Sequence, residues 1–146
     1  MCLIANKENP LKGKTSLKFD EKGYTTCWKV YQKIEDKFRT LFYGLSDSIA
    51  PGDIKSDRKS KEICVEERDI FRSLGVDIAH GIHVYIDLKW AFDRKKAYDT
   101  YEKGEYTVVP VRCHNQDLIA VDNYGSEAVF MKVFLKNSDY QKALKG

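Results

Sequence analysis

The stretch G-I-H-V-Y-I-D-L-K-W-A-F, residues 81–92, predicts a β-strand that runs directly into a helix. Aliphatic residues alternate with His83 and Tyr85, which is the pattern of a strand with its aliphatic side against a core. His83 and Tyr85 then share the second side of the strand. Asp87 has the side chain of a helix N-cap, so the main helix is expected to begin at about residue 88.

The main helix is predicted over about residues 88–103, with Gly104 as its C-terminal stop. Helical spacing predicts one stripe of residues that face the sheet, made of Leu88, Ala91, Phe92, Lys95 and Tyr98. Residues 65–74 and 138–145 have the pattern of one or two further short helices.

Residues 24–34 are rich in aromatic and β-branched types and predict a half-buried strand with Trp28, Val30 and Ile34 inward. Tyr31 lies on the opposite side of that strand. Residues 38–44 are expected to return as the second strand of a hairpin, and the charged residues 54–62 to form an exposed loop.

The C-terminal third predicts further strands. Residues 106–113 predict a strand that contains Pro110. Because proline has no N–H to donate, Pro110 argues for an edge position of this strand or a bulge. Residues 117–135 are expected to form a hairpin that turns at residues 123–126 and ends in one long strand over 129–135. The order of elements predicts one α+β domain over residues 1–146, with a mainly antiparallel sheet.

Composition narrows the class of protein. Of 146 residues, 42% are hydrophobic and the formal net charge is +3. Residues 1–40 hold nine Lys and Arg against five Asp and Glu, but acids interrupt the lysines, which favours a solvated surface over a nucleic-acid-binding arm. No run approaches the roughly 20 apolar residues of a membrane span. Four widely spaced cysteines are typical of reduced, buried thiols, so a cytoplasmic location is expected.

Two arrangements carry possible chemistry. His80 and His83, with Cys113 and His114, are residue types that bind zinc, but the spacing fits no zinc motif and 80 and 83 point to opposite sides of a strand. No metal site is therefore predicted. Cys2 would be an N-terminal nucleophile if the first methionine were removed. The alternative, that residues 1–4 begin a buried strand, is preferred.

The segments CWKVY, PGD, GIHVY followed by a helix, and SEAVF before the last strand resemble the order of elements in ADP-ribosyltransferase-like domains. That resemblance implies that Glu127 matches the acid that orients the nicotinamide ribose, and that His83 and Tyr85 line the pocket. The implied cofactor is NAD or another adenine nucleotide.

The Met-Cys start, with CWKV, GIHVY and DLIA, is similar to small accessory proteins of bacteriophages and prophages. This resemblance implies a phage-type or anti-defence protein in the host cell cytoplasm, which binds a host or defence protein or a small nucleotide signal.

Two hypotheses follow. The preferred one is a non-catalytic binding module without a cofactor, with His83, Tyr85, Tyr31, Tyr124 and Glu127 as contact residues. Exposed tyrosines are expected to form the contact patch, because aromatic side chains supply large contact area at low entropy cost. The alternative is an ADP-ribosyltransferase-like enzyme in which Glu127 and His83 are catalytic. The sequence does not specify an oligomeric state.

Overall fold

A computed structural model of the chain describes residues 3–6, 8–40, 49–62, 76–78 and 80–146. These residues form ten strands and two α-helices, with short 3-10 helices at Lys12–Ser16 and Asn115–Asp117. The strands are β1 Leu3–Ala5, β2 Tyr24–Ile34, β3 Lys37–Arg39, β4 Gly52–Lys55, β5 Val76–Ile78, β6 Ile82–Tyr85, β7 Glu105–His114, β8 Leu118–Val121, β9 Glu127–Phe130 and β10 Lys132–Leu135. The helices are α1 Leu88–Tyr101 and α2 Asn137–Lys145.

The predicted α+β class is confirmed. The main sheet has eight strands in the order β4-β10-β7-β2-β6-β9-β8, with β3 paired to β2, and β1 and β5 form a separate pair. All recorded pairs are antiparallel. The main helix and the short C-terminal helix lie where the sequence predicts them. The predicted helix at 65–74 lies outside the described residues.

The sheet curls strongly because of a corner at Met131. One residue separates β9 from β10, yet three strands lie between them in the order of pairing. A residue spans only about 3.3–3.6 Å, so the sheet must bend round to bring these two strands end to end. The Met131 N–H donates to the Asp117 carbonyl and the Met131 carbonyl accepts from Ser56 N–H. The prediction of one long strand over 129–135 is therefore wrong.

The inner face of the curled sheet holds the largest apolar cluster. Cys27 and Tyr31 of β2 point into it, together with Val84 of β6 and Phe130 of β9. Helix α2 packs against this cluster, and the ring of its Tyr140 meets Phe38 edge-on with centroids 5.3 Å apart. This face carries most of the apolar burial that stabilises the fold.

The outer face of the sheet is covered in two places. Helix α1 covers a cluster built on Val30, Ala91 and Tyr106, with Trp28 and Tyr85 at its border. The β1–β5 pair covers the outer side of β8 and β9 in a second cluster, which buries residues from all four strands: Leu3, Ala5, Ile78, Ile119, Ala120 and Val129. The outer side of β10, and of β7 from Pro110 onward, lies outside both covered clusters.

This arrangement corrects the predicted inward side of β2. Trp28 and Val30 do face a covered side, but they pack under α1, whereas Cys27 and Tyr31 face the main core. Ile34 is exposed, because β2 extends beyond α1 there. The alternation of residue types along β2 could not show which side of the strand faces the main core, because both sides are covered.

Helix α1 begins as predicted, with the Asp87 carboxylate accepting from the Lys89 N–H at 3.1 Å. The predicted stripe is wrong at Phe92, which is exposed, whereas Ala91 is buried. Lys95 lies at the border of the stripe and pairs with Asp99 in an i,i+4 contact. Arg94, and not Phe92, contacts the sheet, where its side chain forms a hydrogen bond with Tyr85.

Two further predictions change in detail. The hairpin of β2 with β3 is confirmed over 32–34 and 37–39, and its continuation to residue 44 lies outside the described residues. The expected exposed loop over 54–62 begins instead as part of β4, since Lys55 pairs with Lys132 of β10. Among the described residues, no helix has the length and apolar character to cross a membrane.

Candidate functional site

A row of side chains crosses the outer face, and two of its members, Trp28 and Tyr85, pack against the cluster under α1. Register pairs join Pro110 of β7 to Trp28 of β2, Trp28 to Tyr85 of β6, and Tyr85 to Glu127 of β9. Directly paired residues of antiparallel strands present their side chains on the same side. Two of the predicted site residues, Tyr85 and Glu127, are thus immediate neighbours.

Burial and charge perturb both of these groups. Burial, followed by the nearby Asp122 carboxylate, raises the pKa of Glu127, while Arg94 opposes the shift. Burial and then the Glu127 charge raise the pKa of the Tyr85 hydroxyl, and a hydrogen bond with the Arg94 side chain opposes this. Arg94 therefore ties helix α1 to the Tyr85–Glu127 pair. A carboxyl with a raised pKa beside a phenol is suited to proton transfer, and it is equally suited to holding a helix on a sheet.

His83 lies on the same outer side but faces β5 instead of joining that pair. Its Nε2 lies 2.8 Å from the Ile78 carbonyl oxygen and its Nδ1 lies 3.3 Å from that of Gly81. Burial lowers the pKa of the ring, which favours the neutral form with a single N–H. The contact with Ile78 is the shorter of the two, and the tautomer with its N–H on Nε2 donates to that oxygen. The His83 side chain therefore connects β6 to β5 through the carbonyl oxygen of Ile78.

Lys29 was not predicted as a site residue, yet it is the most perturbed cation of the described chain. Burial lowers the pKa of its ammonium group to about 8, against smaller opposite effects of Cys113 and Glu127. Its Nζ donates to the His83 carbonyl oxygen at 2.7 Å and lies 5.5 Å from the Tyr31 ring centroid. The signal in the sequence was its parity with Cys27 and Tyr31, which are both buried.

The two remaining predicted contact residues occupy opposite environments. Tyr31 is 1% exposed in the main core and stacks on Phe38 with centroids 5.9 Å apart. Tyr124, in the turn between β8 and β9, is 91% exposed. As the structure stands, Tyr124 is available to a partner and Tyr31 is not.

The residue types that suggested zinc are dispersed. His114 accepts from the Gln116 N–H at Nδ1 and its Nε2 faces the Lys22 carbonyl oxygen, far from the His83 contacts with β5. Within the described ranges, no group of three or more His, Cys, Asp or Glu is arranged to hold a metal. Cys2 lies outside these ranges.

Cys27 and Cys113 are free and buried, as predicted. They lie on neighbouring strands, where Cys27 pairs with Val111 and Cys113 with Thr25. A hydrogen bond with Cys27, followed by burial, raises the pKa of the Cys113 thiol well above its ordinary value. The Cys113 thiol is therefore a poor nucleophile, and both cysteines are buried core residues. Cys64 lies outside the described residues.

Two exposed features lie away from the predicted residues. Helix α1 turns Trp90, Phe92 and Tyr101 to solvent. A cavity of about 540 Å³ opens on the uncovered outer side of β7, where Pro110, Arg112 and Phe134 are among its lining residues. None of His83, Tyr85, Tyr31, Tyr124 or Glu127 lines it.

Comparisons of the chain with protein-family models, with curated proteins and with solved structures gave no match. The geometry of its own residues is therefore the basis for any functional conclusion.

Proposed function

We propose that the chain is a non-catalytic binding module that docks a protein partner on the solvent side of helix α1. The observation that carries this proposal is the exposure of large aromatic side chains on a helix whose other side is already packed. Trp90 is 48% and Tyr101 is 83% exposed, while Ala91 of the same helix is fully buried.

The two aromatic residues lie on the same side of the helix. Trp90 and Tyr101 are eleven positions apart, which at about 100° per residue brings them within about 20° of each other and about 16 Å apart along the axis. Ala97 lies between them on the same side of the helix. A pair of rings with a small residue between them is a suitable seat for a side chain of a partner.

A second flank of the helix, at least about 100° round the axis from Trp90 and Tyr101, is basic. Phe92 lies between Lys89 and Lys96, which are three residues before it and four after it, and all three side chains are exposed. Among the described residues, neither lysine is in an ion pair. The solvent side of α1 therefore has Trp90 and Tyr101 on one flank and the ammonium groups on the other, which suits a partner that presents apolar groups beside an acidic patch.

The class of partner comes from the resemblance to phage accessory proteins. The proposed partner is a host or defence protein in the cytoplasm of the host cell. Binding needs no cofactor, and Tyr124 is a candidate to extend the contact beyond α1.

The test is affinity capture of the partner from host lysate, followed by titration of the purified partner against variants of the full chain. Trp90→Ala with Tyr101→Ala should weaken binding at least tenfold, which is the usual effect of removing anchor residues. Lys96→Glu should slow association and reduce its salt dependence. Ile34→Ala and Lys37→Glu are the matched controls, because both residues are exposed on the β2–β3 hairpin. Equal affinity of the α1 variants and the controls would reject this surface.

A second candidate, the ADP-ribosyltransferase-like enzyme, is supported by one observation: Tyr85 and Glu127 are adjacent and Glu127 has a raised pKa. It requires a nucleotide to reach them beneath α1. NAD consumption by the purified chain, lost in Glu127→Ala with the melting temperature unchanged, would favour it over the binding module. Absence of NAD consumption in the wild type would remove this candidate.

A further inference from the structure

The cavity beside β7 exists because of Pro110. β10 pairs with β7 through Val133–Cys113 and Phe134–Arg112. Two more residues in the same register would bring Lys136 opposite Pro110, which has no N–H to donate. The chain instead leaves the sheet at Lys136 and enters α2. A gap remains between β7 and the β10–α2 junction.

The floor and rim of this gap differ in character. Pro110 and Phe134 supply apolar surface, and Phe134 is 40% exposed although it lies on a strand between two neighbours. Arg112 and Lys136 bring positive charge to the rim, and Asp139 of α2 brings one carboxylate. The volume of about 540 Å³ lies within the range of about 300–1,000 Å³ that is usual for small-molecule sites.

Arg112, one of the two cations that line the cavity, stacks on an aromatic ring. The Arg112 guanidinium carbon lies 4.4 Å from the centroid of the Tyr24 ring, and the edge of that ring meets His114. Stacking on an aromatic face restricts the guanidinium group without neutralising it. In the described part of the chain, Arg112, Lys136 and Asp139 form no ion pair. All three charged residues line the cavity, and the charge of Arg112 also interacts with the Asp20 carboxylate.

We propose that this cavity binds a nucleoside monophosphate. Its base lies against Phe134 and Pro110, because aromatic rings on an open sheet face stack bases irrespective of sequence. The phosphate binds Arg112 and Lys136, since a guanidinium group matches phosphate oxygens in two-point contacts. Asp139 accepts a hydrogen bond from a ribose hydroxyl or an exocyclic amino group, and Thr26 provides a further hydroxyl at the rim.

This site is separate from the protein-binding surface proposed above. α1 packs against Trp28 and Tyr85, and neither residue lines the cavity, which lies along β7 from Pro110 to Arg112. A nucleotide in the cavity need not touch Trp90 or Tyr101. The two proposals can therefore fail independently.

The test is isothermal titration of the full chain with AMP, GMP, CMP and UMP, alongside adenosine, ribose 5-phosphate and inorganic phosphate. At least one monophosphate should bind with a dissociation constant below about 1 mM, and at least tenfold more tightly than any of the three fragments. Arg112→Gln should weaken that binding at least tenfold, and Phe134→Thr should do the same while retaining a strand-forming residue.

Two controls separate this site from other sites. Lys37→Gln removes an exposed cation outside the cavity and should leave affinity unchanged. Glu105→Gln removes an exposed carboxylate outside the cavity and should also leave affinity unchanged. The proposal is overturned if no monophosphate binds, if inorganic phosphate alone binds equally well, or if Arg112→Gln has no effect. An acidic peptide that binds in the absence of any nucleotide affinity would likewise overturn it.

Discussion

Lys29 of β2 donates its Nζ to the backbone carbonyl oxygen of His83 in β6 at 2.7 Å. The two strands share the single register pair Trp28–Tyr85. Beyond that pair, the Lys29 side chain connects the two strands by its hydrogen bond to the backbone of His83. A charged ammonium group is thus part of the connection between the two halves of the main sheet.

Replacing Lys29 with methionine should change how stability depends on pH. Burial lowers the pKa of Lys29 from 10.5 to about 8, so the unfolded chain binds more protons than the folded chain between these values. The free energy of unfolding of the wild type should therefore rise from about pH 8 to pH 10.5, by up to roughly 3 kcal/mol from this group. Lys29→Met should lack this rise. Urea denaturation at pH 7.5 and pH 10 checks this.

Lys37→Met is the control for that experiment, since Lys37 is exposed. The result is the difference in the free energy of unfolding between each variant and the wild type at each pH, because other groups titrate in the same pH range. Parallel curves for the wild type and Lys29→Met would show that the ammonium group is solvated in the folded chain.

Replacing Glu127 with glutamine should alter stability at lower pH. Burial raises the pKa of Glu127 above its ordinary value of 4.5, so ionisation is disfavoured in the folded chain. Stability from this group is present below 4.5 and is lost as the pH rises through the raised value. Glu127→Gln should remove that loss and be at least as stable as the wild type at pH 7. Chemical denaturation from pH 4 to pH 8 checks this, with exposed Glu105→Gln as control. A clearly less stable Glu127→Gln at pH 7 would indicate that its charge stabilises α1 through Arg94.

Substituting alanine at Gly81 and Gly52 should separate backbone strain from steric clash. Gly81 and Gly52 both have positive φ, at 120° and 110°. A Cβ at Gly81 would collide with Cγ1 of Val129 and approach Ile119, whereas one at Gly52 meets nothing within 4 Å. Gly81→Ala should therefore destabilise more than Gly52→Ala, by about 1–3 kcal/mol. Equal melting temperatures would mean that β6 shifts away from β9 freely.

Alanine substitution of Tyr31 and Tyr124 should have opposite outcomes. Tyr31→Ala removes a fully buried ring that stacks on Phe38, and should cost about 3–5 kcal/mol of the free energy of unfolding. Tyr124→Ala changes an exposed turn residue and should stay within about 0.5 kcal/mol. Denaturation midpoints of both variants provide the measurement. A stable Tyr31→Ala chain would contradict the packing of the inner face.

Local patterns predicted the elements well, because their signals lie within a few residues. Asp87 fixed the start of α1, and the aromatic and β-branched run fixed both ends of β2. Relationships between elements were harder to predict. β2 is covered on both sides, so alternation could not show that Lys29 faces the core. Met131 gives no local turn signal, because its bend is held by contacts with Asp117 and Ser56.

The candidate site was predictable in part for the same reason. Placing His83 and Tyr85 on the second side of β6 needed only the alternation, and that placement is correct. The prediction from Pro110 of an edge position or a bulge is wrong, because β7 lies inside the sheet and pairs with β2 without a register shift. The recorded pairing of β7 with β10 stops at Arg112, two residues before Pro110. The cavity lined by Arg112 and Phe134 needed the register between β7 and β10, which no local pattern contains.

The ladder of β2 with β7 also has a consequence for how the chain folds during synthesis. Its ten register pairs run from Lys33–Glu105 to Tyr24–His114, so the earlier strand has no main partner until the ribosome has made the later one. Such distant pairing is expected to make folding slow, in the range of milliseconds to seconds. Until then, the aromatic and β-branched residues of β2 are exposed on a nascent chain, which makes this segment the natural target of a chaperone.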